Sequence, residues 1–237
     1  MTTTPISRDT VVDALVGRLR DEILRGVYLP GSYLPPEREL AARYGITRTS
    51  LKHAMVRLVQ AGLLETKHGV GTRVLDYERF GGPELLPMLV ATVGPQWVAE
   101  IFDARREVGA LVAAKAAGSA GSEDHDRLWA LLEELRAAPT ASAAQLTECE
   151  IHRVIASATG NRVYGMLVNA LLNAYLEVRE AFQQAFEDPA ATAAWLTPVI
   201  TAICAGDAEG AHAAAQTYLR KTEQLMLTPA LKAEVGR

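Results

Sequence analysis

Apolar residues fall into two successive patterns along the chain. Val11, Leu15, Leu19, Ile23 and Leu24 recur at helical steps between Asp9 or Thr10 and Gly26, which predicts a first helix with one buried face. The turn-rich YLPGSYLPP at 28–36 follows, with Leu29 and Leu34 as its apolar anchors. Leu40, Ala41 and Tyr44 then share one face of a short helix, with Glu39 and Arg43 paired four apart on another, and Gly45 supplies the freedom of a sharp turn. Thr47 is placed to cap a second, longer helix whose buried stripe is Leu51, Met55, Leu58 and Val59. Its opposite face carries Arg48, Thr49, Lys52 and Arg57. Two short extended runs closed on His68-Gly69-Val70-Gly71 complete the pattern of a winged helix-turn-helix over 9–76.

Beyond it the pattern changes. Residues 77–83, YERFGGP, break both periodicities and read as a linker. From Glu84 the chain is apolar at three- and four-residue spacing throughout, in seven stretches: 84–93, 96–117, 123–137, 144–158, 163–186, 190–205 and 208–227. Separators such as Gly94-Pro95, Gly160-Asn161 and Gly206-Asp207 stand between them, and Pro198 should kink the sixth. The expected fold is therefore mostly α: the winged domain followed by an all-α seven-helix bundle over 84–228. Residues 1–8 and the final AEVGR read as loose ends.

Composition narrows the class. With 237 residues, 49% of them apolar and 22% charged, the chain has the make-up of a globular protein of two domains. No apolar run approaches the ~18 residues of a membrane span and no signal core opens the chain, so a cytoplasmic protein is expected. Cys149 and Cys204 read as small buried hydrophobes. The net charge of −4 is unevenly shared, since residues 1–76 hold 11 Lys/Arg against 8 Asp/Glu and residues 77–237 hold 13 against 20. The positive excess sits where a duplex would be met.

Candidate chemistry gathers at two places. Thr47-Arg48-Thr49-Ser50 combines short hydroxyls and a guanidinium at a helix N-terminus, where backbone N–H groups can also hold phosphate. Arg48 is the candidate for reading a base edge. In the helical half, Glu148 and His152 lie four apart on one helical face, a start toward a metal site or an acid/base pair. A nucleophile motif, a Gly-rich phosphate loop and a complete metal set are all lacking in the sequence, so an enzyme is not expected.

The PGSYLPPERELA entry, the ITRTSLKHAMVRLVQAGLLE helix and the HGVGTRV wing, taken in order, resemble the DNA-binding domain of the GntR family of bacterial transcription regulators over nearly all of 11–76. The resemblance implies DNA contacts from Arg38, Arg48, Thr49, Ser50, Lys52, His68 and Gly69, with Lys52 standing where relatives often have Arg. Asp103-Ala104-Arg105, the HRVIASATGN at 152–161 and the GDAEGAHAAAQTYL at 206–219 resemble the FCD effector domain of the family's FadR branch. Most such domains hold a divalent metal, and the corresponding positions here are Glu148, His152, Leu196 and Tyr218. Leucine cannot ligate and a neutral tyrosine ligates poorly, so neither metal nor other cofactor is expected. The acyl-CoA-responsive FadR proteins also lack that shell, and they are similar to this chain in GNRVYGMLVNALLNAYLEV at 160–178. The resemblance thus implies a homodimer on a palindromic operator, away from any membrane, gated by a small molecule that is an acyl-CoA or alternatively a small carboxylate or sugar acid. A metal-dependent helical enzyme fused to a DNA-binding domain is the more distant reading. The effector cavity would be lined by His152, Tyr175 and Tyr218, with Arg105 facing an anionic group and Thr222 a phosphate.

Overall fold

The computed structural model describes residues 8–92 and 95–235 and divides into two compact units, Met1–Val93 and Gly94–Arg237. The N-terminal tail expected at 1–8 lies outside the described residues except for Arg8, as do Gly94, Gly236 and Arg237.

In the first unit, α1 (Arg8–Leu24) buries Val12, Leu15, Leu19, Ile23 and Leu24, largely against α3 (Arg48–Gln60). Val12 takes the place expected for Val11, which is exposed. α2 (Glu37–Tyr44) buries Leu40 and Ala41 and is tied to α1 by Tyr44, whose hydroxyl donates to Glu22 Oε2 at 2.6 Å. Arg43 turns away from its expected partner Glu39 and donates to the Tyr28 hydroxyl at 2.9 Å. Gly45 closes α2 in the left-handed conformation, φ 66°, which lets α3 start three residues later at an angle. On α3 the buried stripe is Leu51, Ala54, Met55 and Leu58, whereas Val59 is exposed. Leu34 anchors the turn-rich segment, but Leu29 is 64% exposed and anchors nothing.

The wing is an antiparallel pair, β1 (Leu64–Lys67) and β2 (Gly71–Val74), registered Leu64 to Val74 through Lys67 to Gly71. Tyr33 adds a bridge to Arg73, making a third edge that the turn-rich stretch at 28–36 did not reveal. Residues 77–83, expected as linker, hold the one-turn helix α4 (Tyr77–Phe80). Asp76 caps it, its side chain accepting from the Glu78 N–H at 3.1 Å. A 3-10 turn (Pro83–Leu85) and α5 (Leu86–Thr92) follow, burying Leu85, Leu89 and Val90, and group with the first unit. The first of the seven expected bundle stretches therefore groups with the head, where α5 contacts α1.

The second unit is all helix among its described residues: α6 (Pro95–Ala117), α7 (Ser122–Arg136), α8 (Ala141–Ala158), α9 (Arg162–Val178), α10 (Pro189–Cys204) and α11 (Ala208–Val235). Its α6 and α11 share the most extensive contact, with α10, α7 and α8 packed around them. The stretch 163–186, expected as one helix, is α9 followed by a 3-10 segment, Arg179–Phe186. The change comes where Arg179 O accepts a hydrogen bond from Gln145 Nε2 at 2.8 Å, a carbonyl that an uninterrupted helix would use internally. Pro198 lies inside α10, and α11 runs past Leu227 into the tail expected to fray.

Candidate functional site

Two polar sites stand out, one in each unit, and they are built in opposite ways. In the first, Thr47 caps α3: its Oγ1 accepts from the Ser50 N–H at 3.1 Å and lies 3.0 Å from Ser50 Oγ. That fixes the first turn, so Arg48 and Thr49 project from it, both exposed, and Arg48 makes no ion pair among the described residues. Lys52, one turn on, is exposed and 3.9 Å from Glu37 Oε2, a loose contact that water screens. Arg38 is exposed on α2. At the wing tip His68 and Gly69 are exposed, Gly69 with φ 75°. All eight residues expected to meet DNA are thus at the surface or, for Ser50, half-buried beneath it. His53 on α3 and Lys67 and Arg73 on the wing are also exposed on these elements. The sequence offers them only as polar residues at solvent-facing helix and strand positions.

The second site lies inside the helical body. Arg105 on α6 donates from Nη2 to Glu148 Oε1 on α8 at 2.6 Å and from Nη1 to Thr222 Oγ1 on α11 at 3.3 Å. The Tyr218 hydroxyl, also from α11, donates to the same Glu148 oxygen at 2.9 Å, and His152 Nε2 lies 2.9 Å from it. Three donors from three helices thus converge on one carboxylate oxygen that is 1% exposed. Burial pushes the Glu148 carboxyl up, but His152, Arg105 and the hydrogen bonds from His152 and Tyr218 outweigh it and hold it at about 2. Burial alone would lower the Arg105 guanidinium, and Glu148 more than reverses this. The neighbouring Cys149 thiol is pushed up to about 12 by burial and by Glu148. It behaves as a buried hydrophobe and not as a nucleophile.

Four of the five expected effector residues, Arg105, His152, Tyr218 and Thr222, therefore come together, around a Glu148 that the sequence offered as half of a metal site or an acid/base pair. Tyr175 stands apart, accepting from Gln145 Nε2 at 2.7 Å and stacked on Phe182. Thr222 is fully buried, its hydroxyl donating to the Tyr218 and Leu219 carbonyls, so it is turned away from any surface phosphate. The cluster does not fit a divalent metal. Of the four positions carried over from metal-holding relatives, only Glu148 and His152 bring ligands, and the Arg105 cation already occupies the carboxylate. Among the described residues no group of three or more His, Cys, Asp or Glu is arranged to hold an ion.

Beside the cluster is a narrow cleft among α6, α8, α9 and α11. Arg105 and His152 form one part of its lining, and the rest is apolar, including Val108, Val112, Ile155, Val168, Leu172 and Leu219. It encloses about 20 Å³, the space of roughly one water. Gly109 also lines it, and a Cβ there would lie 2.6 Å from Leu219 Cδ1.

Among the described residues no helix is long and apolar enough to cross a membrane. A family model described as bacterial regulatory proteins, gntR family, matches residues 11–74, and one described as FCD domain matches residues 100–221. An uncharacterized HTH-type transcriptional regulator of Mycobacterium tuberculosis is 35% identical over 223 residues, covering 94% of this chain and 92% of its own length. A fatty acid metabolism regulator protein of Pasteurella multocida is 33% identical over 169 residues, covering 68% of this chain and 69% of its own. The solved structure of Lar, which controls the expression of the Listeria monocytogenes agr system, shares the fold at 14% identity (TM-score 0.61, 95% of this chain and 99% of that chain). The helix-turn-helix with its hairpin wing, the all-helical body and these matches lead to one conclusion: the chain belongs to the GntR family of bacterial transcriptional regulators, in its FadR-type branch with an FCD domain.

Proposed function

We propose that the chain works as a homodimer whose two heads read a palindromic operator and whose helical bodies bind a long-chain acyl-CoA that loosens the DNA complex. In the head, Arg48 reads a base edge from the major groove, while Arg38, Thr47, Thr49, Ser50, Lys52, His68 and Gly69 hold phosphates and set the register. Backbone contacts contribute affinity that falls with salt, and the guanidinium contributes preference.

For the effector, the observation that carries the reading is the lining of the cleft beside Arg105 and His152, which is otherwise hydrocarbon on all four helices. Such a wall favours an alkyl chain over a sugar acid, whose hydroxyls would lose their water without gaining partners. At about 20 Å³ the cleft must widen to take a chain, so binding parts α8 and α9 from α6 and α11. A ligand bound only by the widened state draws the population toward it. The relative named as a fatty acid metabolism regulator protein supports the same ligand class.

The test is electrophoretic retardation of an operator selected from random duplexes by the protein itself. Long-chain acyl-CoA should weaken the complex roughly 5- to 150-fold, the usual range of such coupling. Retardation unchanged by acyl-CoA but relieved by small hydroxy- or dicarboxylates would overturn the effector class.

A further inference from the structure

The polar cluster of the body has the anatomy of a carboxylate receptor. A buried guanidinium, a tyrosine hydroxyl and an imidazole from three helices all point at one oxygen. The carboxylate they hold is the chain's own Glu148. Arg105 is already engaged by the protein on both terminal nitrogens: Nη2 is on Glu148, Nη1 is on Thr222, and the group lies 5.9 Å over the Phe102 ring. A ligand carboxylate entering the cleft would meet a filled receptor and a buried negative charge beside it, a like-charge juxtaposition that a low-dielectric site strongly disfavours.

We propose that Glu148 is a specificity-determining residue, which occupies the carboxylate site of Arg105 from within and so keeps free carboxylates out of the body. The inference rests on the reading of the body as the effector site, and it deepens that reading by naming what the site rejects. A ligand that reaches the cleft presents hydrocarbon and a neutral carbonyl, as an ester or thioester does, and the corresponding free acid is refused. A purely structural ion pair would give Glu148 no such effect on ligand choice.

The experiment deletes the internal guest and offers it back. Glu148→Ala in the full-length chain removes a fragment equivalent to acetate and leaves the three donors in place. Thermal unfolding followed by circular dichroism compares sodium acetate with sodium chloride at equal ionic strength. The wild-type chain should melt alike in both. Glu148→Ala should gain about 3–5 °C in ~100 mM acetate, saturably, with formate weaker and butyrate weaker again. The double variant Arg105→Met/Glu148→Ala should lose the response. A Glu148→Ala chain that folds only in acetate also supports the proposal. If it folds in neither salt, Glu148→Asn, one methylene shorter and uncharged, carries the same titration with formate. Absence of any anion-specific shift in a folded variant, or an equal shift in the double variant, would overturn the role of Glu148. Failure of acyl-CoA to release the operator is a separate result: it would remove the effector reading and leave the anion titration as it stands.

Discussion

The head and the body of this regulator treat polar side chains in opposite ways. On the head, Arg48 and Arg38 stand in solvent without an ion pair among the described residues, and Lys52 has only a 3.9 Å contact with Glu37. In the body, Arg105 and Glu148 are held at 2.6 Å, with Tyr218 and Thr222 bonded to the same pair. Exposed cations cost little to keep unpaired, and they retain their full charge for a polyanion. Buried ones must be satisfied from within, so the polarity of the body serves stability, while that of the head stays open to a partner.

The comparison is broken most forcefully in the body. Glu148→Ala without added carboxylate leaves a buried guanidinium unpaired and should cost about 3–5 kcal/mol of stability, read from urea unfolding. A loss near zero would mean that water already reaches the cluster and that the contrast with the head is false. Glu148→Gln keeps the shape and removes the charge, so it isolates the titration. Because the folded-state carboxyl lies below its ordinary 4.5, at about 2, its contribution is complete above pH 4.5 and is lost as pH falls toward 2. The wild-type chain should therefore lose more stability than Glu148→Gln across that window, and parallel acid unfolding curves would contradict the assignment.

An intermediate effect is expected where backbone, not charge, sets the cost. Gly62 has φ 71°, and a Cβ there would meet the Phe80 carbonyl oxygen at 2.2 Å. Gly62→Ala should destabilise the head by about 1–3 kcal/mol, because both the left-handed backbone and the approach of α4 oppose it. Thermal unfolding of the variant checks this, and an unchanged midpoint would show that α4 is free to move off the end of α3.

How far each region could be read beforehand follows from the same contrast. The head was legible almost residue by residue, because its signals are local: the Thr47 cap, the Gly45 turn and the Gly69 tip each act within a few positions. Its errors were also local, a stripe displaced from Val11 to Val12 and a Leu29 that faces solvent. The body showed its helices but not their partnerships. Arg105 and Thr222 are 117 positions apart, and nothing in helical periodicity says that they meet. The resemblance of short motifs brought Arg105, His152 and Tyr218 into view, yet it cast Arg105 as free to meet a ligand. Glu148 is what it meets. That outcome depends on three helices closing around one side chain, which only the packed structure displays. The break after α9 leaves no mark on the periodicity for a similar reason, since the bond made there comes from Gln145, 34 positions away.

The smallest expected effect on folding is at the head's own site, and it is the most discriminating. Arg48 is exposed, so Arg48→Ala should shift stability by no more than about 0.5 kcal/mol, and the melting curve should overlay the wild type. Operator affinity should nevertheless fall roughly 5- to 150-fold, the worth of one bidentate base contact. A lost base contact and a lost phosphate contact are separated by sequence and salt. If Arg48 reads a base, the penalty appears on the selected operator and largely vanishes on duplexes altered at that base pair. If it holds only phosphate, the penalty is uniform across sequences, and the slope of affinity against salt falls by about one. Equal loss on every duplex would move Arg48 among the positioning cations with Lys52, and base reading would pass to another exposed residue of the same helix.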